Sequence, residues 1–547
     1  FELGNCEIEG QVDFSHAVFK RDFRAIQDTF HSAALFRLAS FERDADLSSS
    51  RFENGGVIFD GAHFSGAFRA LQTDYASKGR VMAFFGHVRF DGDVDFSLAH
   101  FGFDSSFMYS QFGGQAMFVG AIFAGSADFE HAHFVGYSTF GNLPFNKKFE
   151  ADFEGDANFT NTLFDSTTVF DGIIFEGKAR FFDAKFGSQA LFRETTFRSN
   201  CEFSMTRFGS DVYFSGAQFL GQSNFTFAHI AGSLVFEAAK SLSASMFRGQ
   251  AQFGGIQVDG LVTFGGGEEF APGVVFESKA YFDAAKFAGT SNFQGADFKD
   301  EVQFASAWLG ADTFFAGTKF EGDVFFDRTQ FMGAALFSSK PGLVNSNFAQ
   351  SARFMRKVSF ASAHFSSVTR FSRVQFEGSV DFNGAHFDND AHFEDSEFLG
   401  PTSFRSVTFK AVYLSAVEAG DKQPFQNDLD LLGCTYERIQ VDWRGLFRYP
   451  NGNSRINPYD RQPYVELEEA LRKSGSQDEA NEVYLERRRV EHLKLTGMAR
   501  VQDWAYRLLA NYGINLWNEF WICSRALGLG CFCLYKAECS RAFDRRI

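Results

Sequence analysis

Residues 118–134 read FVGAIFAGSADFEHAHF, and phenylalanine recurs in this stretch after five, six and five residues. The rings belong to Phe118, Phe123, Phe129 and Phe134. Residues five or six apart do not share a face of an α-helix, and side chains in a strand alternate with a period of two. The interval therefore predicts neither regular structure in its usual form.

The same interval continues through most of the chain. Phe supplies 77 of the 547 residues and Gly supplies 51, whereas Pro supplies only 8. Regular runs cover Phe14–Phe52, Phe85–Phe145, Phe153–Phe236, Phe282–Phe337 and Phe360–Phe409. A fixed internal period indicates a repeat architecture in which each unit stacks on its neighbours.

A small residue stands two positions before each repeated phenylalanine, as Ala127 does before Phe129. Positions two apart lie on the same side of an extended segment, so both side chains point inward. The residues between them are mostly polar, as expected for an outer surface: Asp128, His133, Asn158, Arg180, Asn292 and Glu397. The pattern predicts an all-β solenoid of very short strands joined by corners.

Glycine often follows the phenylalanine by two positions in the six-residue steps, at Gly125, Gly155, Gly177, Gly322 and Gly378. Glycine adopts positive φ without a steric penalty. We therefore expect these residues to provide positive φ at tight corners.

This small-x-Phe unit resembles the pentapeptide-repeat family, specifically its Phe-rich branch with the pattern FxGxAxFxxAxF. The resemblance covers about residues 10–414 and implies a right-handed, four-sided β-helix, which we assign to residues 1–416. Four units here make 22 residues, rather than the 20 of a strict pentapeptide array. Phe14–Phe409 would then form about eighteen coils and a rod about 85 Å long.

Five stretches interrupt the repeat: 65–84, 146–152, 237–246, 265–275 and 338–347. Loops on rigid scaffolds often carry function. We therefore take 65–84 as the first candidate for a contact site, with a tolerated surface insertion as the alternative.

The sequence contains no phosphate-binding G-x-x-x-x-G-K-[ST], no G-x-S-x-G, no H-E-x-x-H and no C-x-x-C motif. We assign no catalytic, cofactor-binding or metal-ligating residue and predict a non-enzymatic protein without a cofactor. A polysaccharide-cleaving β-helix is a distant alternative. The seven scattered cysteines do not suggest a disulfide framework and favour a reducing compartment.

Seven of the 12 histidines follow an alanine and precede an inward position: His63, His100, His133, His229, His364, His386 and His392. We expect all seven to point outward. His364 and His386 are one coil apart and should stack, whereas His100 and His133 should lie on opposite sides. A metal-binding or pH-sensing pair is one interpretation, and ordinary surface variation is the other.

The net charge of −16 lies entirely in the first 415 residues, because 19 basic and 19 acidic residues cancel from residue 416 onward. The simple interpretation is a solvated surface. The alternative is an acidic rod that imitates nucleic acid. Direct binding of nucleic acid is disfavoured because it requires a basic surface.

After the repeat we assign a cap at 417–448, a linker at 449–463 and a helical hairpin at 464–512. The first helix should bury Leu467, Ala470 and Leu471 and end at Gly475, and Ser476–Glu479 should form a capping box. The second helix should place one set of side chains on a common face: Ala480, Val483, Tyr484, Val490 and Leu493. The basic cluster Arg487–Arg489 suggests a partner module, with a packed appendage as the alternative.

The tail at 513–547 contains an apolar stretch, 514–535, long enough to span a bilayer but interrupted by Glu519 and Arg525. It is typical of an interfacial or poor spanning helix. Cys523, Cys531, Cys533 and Cys539 match no zinc-binding spacing and are interpreted as thiols of an apolar helix, with metal ligands or lipidation sites as the alternative.

The order of these parts resembles that of bacterial membrane-associated pentapeptide-repeat proteins. The matching residues are Gly433–Tyr436, Pro463–Tyr464, Tyr512–Gly513 and Trp517. The resemblance implies a bacterial scaffold protein that is tethered to the membrane by its C-terminal helices, with the β-helix in the cytoplasm. The alternative is a soluble cytoplasmic DNA mimic that binds a topoisomerase or another DNA-binding protein. The sequence identifies neither the protein partner nor the oligomeric state.

Overall fold

The structure is a computed structural model that describes residues 1–75, 82–141, 152–237, 244–266, 273–338, 351–414, 424–447 and 460–514. In these ranges the chain forms a β-solenoid of about 17 turns, with about 22 residues in each coil, followed by four helices. The predicted fold class is confirmed.

One coil shows the plan of the others. Its four strands are Val94–Asp95, His100–Phe101, Ser105–Ser106 and Gln111–Phe112, and they define faces 1 to 4 of the rod. Each strand pairs in parallel with its counterpart in the next coil, as Phe101 does with Phe123. Faces 1 and 3 are opposite sides of the rod, and so are faces 2 and 4.

Most strands have two residues, one pointing inward and one outward. Face 1 begins with Glu2–Gly4 and Phe23–Ile26. Face 2 runs from Glu7–Ile8 to Glu397–Phe398, face 3 from Val12–Asp13 to Leu429–Asp430, and face 4 begins with Val18–Phe19. Near the C-terminal end, faces 4 and 1 share three longer strands: His386–His392, Thr408–Tyr413 and Thr435–Gln440.

Stacked phenylalanine rings fill the axis of the rod. Within a column the rings are nearly parallel, as for Phe112 and Phe134, whose centroids are 4.4 Å apart with an interplanar angle of 1°. Across the axis they meet edge to face, as for Phe107 and Phe118 at 5.8 Å and 90°. Both geometries are favourable for aromatic pairs, so ring contacts between and within the coils stabilise the core of the solenoid.

The tight corners follow faces 1 and 3, and their second residue has positive φ. His131 (φ 57°) and Gly120 (φ 68°) are examples, and most such positions carry a residue other than glycine. The expectation of positive φ at Gly155, Gly177 and their equivalents was wrong. A Cβ on Gly177 would lie 2.4 Å from the carbonyl oxygen of Gly155 one coil earlier, so the close approach of the coils requires glycine there.

The strand register shows where the chain adds residues. Phe123 pairs with Phe153, thirty residues later, and the extra residues connect face 1 to face 2. The segments outside the described ranges at 142–151, 238–243, 267–272, 339–350 and 415–423 all make this same connection, whereas 76–81 connects face 2 to face 3. Added length is therefore concentrated along one edge of the rod.

The predicted interruption at 65–84 is largely regular. Phe68 pairs with Val94 and Tyr75 pairs with Phe101, so both belong to the core. Tyr75 replaces phenylalanine in its column, which hid the repeat in the sequence. Residues 76–81 lie outside the described residues, as do most of the other four predicted interruptions.

Residues 428–440 of the predicted cap continue the solenoid for part of another coil. Leu429 pairs with Thr402, and Tyr436 pairs with Phe409. Four helices follow: α1 (Trp443–Phe447), α2 (Gln462–Lys473), α3 (Gln477–Lys494) and α4 (Gly497–Ala510), with a 3-10 turn at Asn511–Gly513. Most of the predicted linker, and the tail beyond residue 514, lie outside the described residues.

The helical hairpin has the predicted buried face on α2, where Leu467, Ala470 and Leu471 are all buried. On α3 the prediction fails at Leu493, whose side chain is 68% exposed, because the last turn of the longer helix extends past α2. Ser476 occupies the N-cap position, but its side chain makes no capping hydrogen bond.

Candidate interaction surfaces

The outward side chains form columns along each face, because consecutive coils are in register. His364 and His386 are paired on face 4, as predicted, and their rings are 5.6 Å apart. His100 lies on face 2 and His133 on face 4, so the expected opposite placement is also confirmed. Each face can therefore be described by the residues of its column.

The two-residue strands of face 4 that the structure describes have no Asp or Glu at their outward positions. Its column contains four permanent cations, Arg89, Lys185, Arg207 and Lys286. Five of the predicted outward histidines also lie here: His63, His133, His229, His364 and His386. Face 4 is the basic side of an acidic molecule.

The histidines of face 4 contact carboxylates at the neighbouring corner of the next coil. The Nε2 atoms of His63 and His133 lie 2.7 Å from Asp91 and Asp165, respectively. The hydrogen bonds from His63 and Arg89 lower the pKa of Asp91. These contacts connect successive coils. No group of three or more His, Cys, Asp or Glu residues in the described ranges is arranged to hold a metal ion.

Asp388 is shared by two histidines. Its carboxylate oxygens lie 2.7 Å from His364 Nε2 and 3.0 Å from His386 Nε2. Both rings are partly exposed to solvent. The cluster ties two coils together in the same way as the single histidine–aspartate contacts.

Face 1 carries a different column in the middle of the rod. Its outward residues include Leu191, Tyr213 and Val235, which are half-buried because each contacts its neighbours in the column. We call ten uncharged outward positions of this face the apolar column; four of them, Thr139, Val169, Thr263 and Leu336, are buried, and the other six are half-buried: Met117, Leu191, Tyr213, Val235, Asn292 and Phe314.

Carboxylates are distributed over several sides of the rod. Face 3 carries Asp128 and Glu202 at outward strand positions, and face 2 carries Asp74 and Asp297. Others lie at corners, including those that contact the histidines of face 4. A DNA mimic would be expected to collect its acidic groups in one stripe, and the described residues do not form one.

A shallow groove lies on face 3 beside the start of α2. Two of the four aspartates that line it accept hydrogen bonds: Asp381 from the backbone N–H of Asn383, and Asp430 from Arg405 Nε at 2.9 Å.

Comparison with protein families matches the chain to pentapeptide repeats, in nine copies that cover residues 85–133, 192–240 and 349–397. The chain is a pentapeptide-repeat protein. The Phe-rich coils agree with the branch suggested by the sequence. Comparisons with curated proteins and with solved structures gave no match.

The C-terminal end of the pentapeptide-repeat rod is covered by α1 and α2. Gln462 accepts a hydrogen bond from the Gly433 N–H at 2.9 Å and donates one to the Cys434 carbonyl at 3.0 Å. Tyr464 is buried and stacks on Phe447 with a centroid distance of 4.4 Å. The Gly-Cys-Thr-Tyr and Pro-Tyr segments thus form the contact between the rod and the helices.

The predicted basic cluster on α3 is paired within the chain. Arg487 lies 3.3 Å from Glu468 of α2, and Arg488 lies 2.9 Å from Asp503 of α4. Arg489 is more distant from its nearest carboxylate, Glu486, at 3.8 Å. The cluster therefore joins helices, which favours the packed appendage over a separate partner module.

Asp503 is the centre of the contact between α3 and α4. Its largely buried carboxylate accepts hydrogen bonds from Arg488, from His492 Nδ1 at 2.7 Å and from the Tyr512 hydroxyl at 2.9 Å. Burial, followed by the hydrogen bond to Asp503, raises the pKa of Tyr512 to about 12. Three donors on one buried carboxylate fix α4 against α3.

The opposite side of α4 exposes apolar side chains. Met498, Val501 and Leu508 are 73%, 58% and 63% exposed, and Trp504 beside them is also exposed. Among the helices in the described ranges, none has both the length and the hydropathy needed to cross a membrane. Residues 515–547, with Trp517 and the four clustered cysteines, lie outside the described residues.

Sequence reasoning missed the apolar column of face 1. Its members occupy every fourth repeat unit, and the added residues between face 1 and face 2 shift their spacing. The signal was present in the residue that precedes each phenylalanine, but assigning that residue to a face requires the register of every coil.

Proposed function

We propose that this pentapeptide-repeat protein is a non-enzymatic scaffold that binds other proteins along its rod and is held at a membrane surface by its C-terminal helices. The observation that carries the membrane part is the exposed apolar side of α4. The long, regular rod supports the scaffold part, since solenoids present extended binding surfaces.

Helix α4 has the geometry of an interfacial helix. Val501 and Leu508 are seven residues apart and therefore lie on the same side of the helix. Asp503 points to the other side, where it is tied to α3. Arg500 and Arg507 supply the cations that such helices direct to anionic headgroups. An apolar stripe anchored from behind is suited to lie in the plane of a membrane surface.

The test is membrane fractionation of the full chain beside a truncation that ends at Leu495. This truncation keeps α2 and α3, so the end of the rod stays covered. We expect the full chain in the membrane pellet and the truncation in the supernatant. Release of the full chain by alkaline carbonate would indicate interfacial attachment, whereas retention would indicate that residues beyond 514 span the bilayer.

A pair of substitutions tests α4 itself. We expect Leu508→Asp to reduce binding to anionic vesicles at least tenfold, and Gln502→Asp, also on an exposed position of α4, to reduce it far less. Equal effects would refute the assignment of the apolar side. Recovery of the full chain only in the supernatant would refute the membrane tether. Partners of the scaffold would then be sought in protein complexes that are not bound to membranes.

A further inference from the structure

We propose that the edge between faces 3 and 4 carries a binding site for a short acidic segment of another protein. The site is a basic–apolar patch of five residues in three successive coils: Phe182, Lys185, Met205, Arg207 and Phe227. The inference rests on the scaffold part of the proposed function, for which it names a class of partner. It does not depend on the membrane tether.

Three large apolar side chains are exposed on this edge, which the tight corners after face 3 form. Phe182, Met205 and Phe227 are 36%, 49% and 66% exposed and belong to consecutive coils. At the strand spacing of about 4.8 Å they extend over about 10 Å, the length of three residues of an extended chain. The patch therefore fits a short segment rather than the face of a folded domain.

The ring of Phe227 is held in place by the next coil. A Cβ on Gly255, at the equivalent corner, would lie 2.6 Å from Phe227 Cε1, so the ring occupies the space above that glycine. Gly254 precedes it, and the next coil therefore places no side chain beside the ring at this corner. A ring that is positioned before binding loses little freedom when a partner covers it. The flexible side chain of Met205 can adapt to the same partner.

The two cations of the patch form no ion pair in the part of the chain that the structure describes. Lys185 and Arg207 are exposed on face 4 and are neighbours in the strand register. Another exposed cation close by is paired with a carboxylate one coil earlier: Arg198 lies 3.1 Å from Glu176. Two adjacent like charges repel each other, and a carboxylate bound between them would compensate both.

The charge of the rest of the rod directs an acidic segment to this edge. The first 415 residues carry the net charge of −16, and like charge disfavours an acidic partner over most of their surface. Asp183 is a half-buried acidic residue of the same edge, and it forms no ion pair with Lys185. It weakens the attraction of the patch for carboxylates, which makes it a useful position for a test.

An anionic membrane fits this site less well than a peptide. The exposed carboxylates of Asp165 and Asp259 border face 4 in coils on either side of the patch. A flat anionic surface would approach them together with Lys185 and Arg207, whereas a short segment contacts the two cations alone.

The first test measures the binding of a fluorescein-labelled peptide, in which glutamates flank a Leu-Phe pair, to the full chain in mild detergent. By fluorescence anisotropy we expect a Kd below about 100 micromolar and binding at least tenfold weaker when glutamine replaces each glutamate. No binding of the acidic peptide at 100 micromolar (a Kd limit of about −5.5 kcal/mol), or equal binding of both peptides, would overturn the proposal.

Matched variants locate the peptide on the patch. Phe227→Asn should weaken binding about tenfold and Arg207→Glu about fivefold. Tyr109→Asn removes another exposed ring from a positive-φ corner of the same edge, and Lys178→Glu reverses an exposed cation on the edge between faces 2 and 3. Asparagine tolerates positive φ, and we expect both controls to bind as the unmodified chain does. Controls that weaken binding as much as the patch variants would overturn the site.

Asp183→Asn should strengthen binding about threefold, because it removes a like charge beside Lys185. A gain in affinity cannot result from misfolding, and unchanged or weaker binding would overturn the assignment. Vesicles of anionic lipid or single-stranded DNA whose binding is lost in Arg207→Glu, while peptide binding is kept, would assign the patch to that ligand instead.

Co-purification separates this site from the scaffold function. Proteins recovered equally with the unmodified chain and with Phe227→Asn would keep the scaffold function and overturn the proposed site. A chain that binds the peptide at the patch but is recovered with no protein would support the site and refute the scaffold function.

Discussion

Most phenylalanine rings inside the rod lie between two nearly parallel aromatic rings, whereas in the helical region a single carboxylate, Asp503, accepts three hydrogen bonds. Phe159, for example, stacks on Phe129 and Phe181 at 4.9 Å on either side. Asp503 joins Arg488, His492 and Tyr512. One region repeats the same contact many times, and the other depends on one cluster.

The difference predicts how far the loss of stability caused by one substitution should extend along the molecule. In a solenoid, stability is approximately a sum of coil terms and of contacts between adjacent coils. Loss of one ring should weaken its own coil and the two neighbours. Loss of Asp503 should release a whole helix, because the described side chains of α4 are otherwise mostly exposed.

The largest expected effect is that of Phe159→Ala. This ring is fully buried, and its removal leaves a cavity in a stack that cannot collapse, so we expect a loss of about 3–5 kcal/mol in local unfolding free energy. Hydrogen exchange followed by mass spectrometry should show faster exchange over about three coils. Phe14→Ala, at a partly buried ring, is the matched control with a smaller effect. Faster exchange over the entire rod would contradict the comparison.

Asp503→Asn should have the next largest effect. The substitution removes the charge that compensates Arg488. Breaking a buried ion pair costs about 3–5 kcal/mol, and we expect a smaller loss here because Arg488 is partly exposed to solvent. We expect rapid hydrogen exchange in α4 and unchanged exchange in the rod. Tyr512→Phe, which removes only one neutral donor, should cost about 1 kcal/mol. An α4 that stays protected in Asp503→Asn would show that other contacts hold it.

The smallest effect concerns an acidic exception inside the rod. Asp28 is buried at an inward position of face 2, and burial raises the pKa of its carboxyl group. The next coil has Ser50 there, whose hydroxyl accepts the Asp28 N–H and donates to the Ala25 carbonyl at 2.7 Å. A serine hydroxyl thus makes the hydrogen bonds needed at this position without placing a charge there.

Asp28→Ser should therefore stabilise the first coils by about 1 kcal/mol at pH 7. Burial raises the pKa of Asp28 in the folded state. The contribution of Asp28 to the free energy of unfolding is therefore largest below its ordinary pKa of 3.8, and it decreases as the pH rises through the raised value. The gain should shrink toward pH 3.5 in urea unfolding of the two proteins. A gain that is equal at both pH values would exclude ionisation of Asp28 as its cause.

The short strands, the inward rings and the outward histidines could be predicted because they depend on neighbours within a few residues. The role of Gly177 could not, since it depends on the backbone of Gly155 one coil away. The regular part of 65–84 was missed because Tyr75 takes a phenylalanine position. The apolar column required the register across every added segment, and that register exists only in three dimensions.

The regular pairing of coils also means that the length of the rod is set by the number of coils. Ala157 pairs with Ala179, so deletion of residues 157–178 removes one complete coil and joins two equivalent positions. Such a deletion shortens the rod by about 4.8 Å and leaves every remaining side chain on its original face. Duplication or loss of a whole coil can therefore change the length of this molecule in equal steps, while the fold and the face on which each side chain lies stay the same.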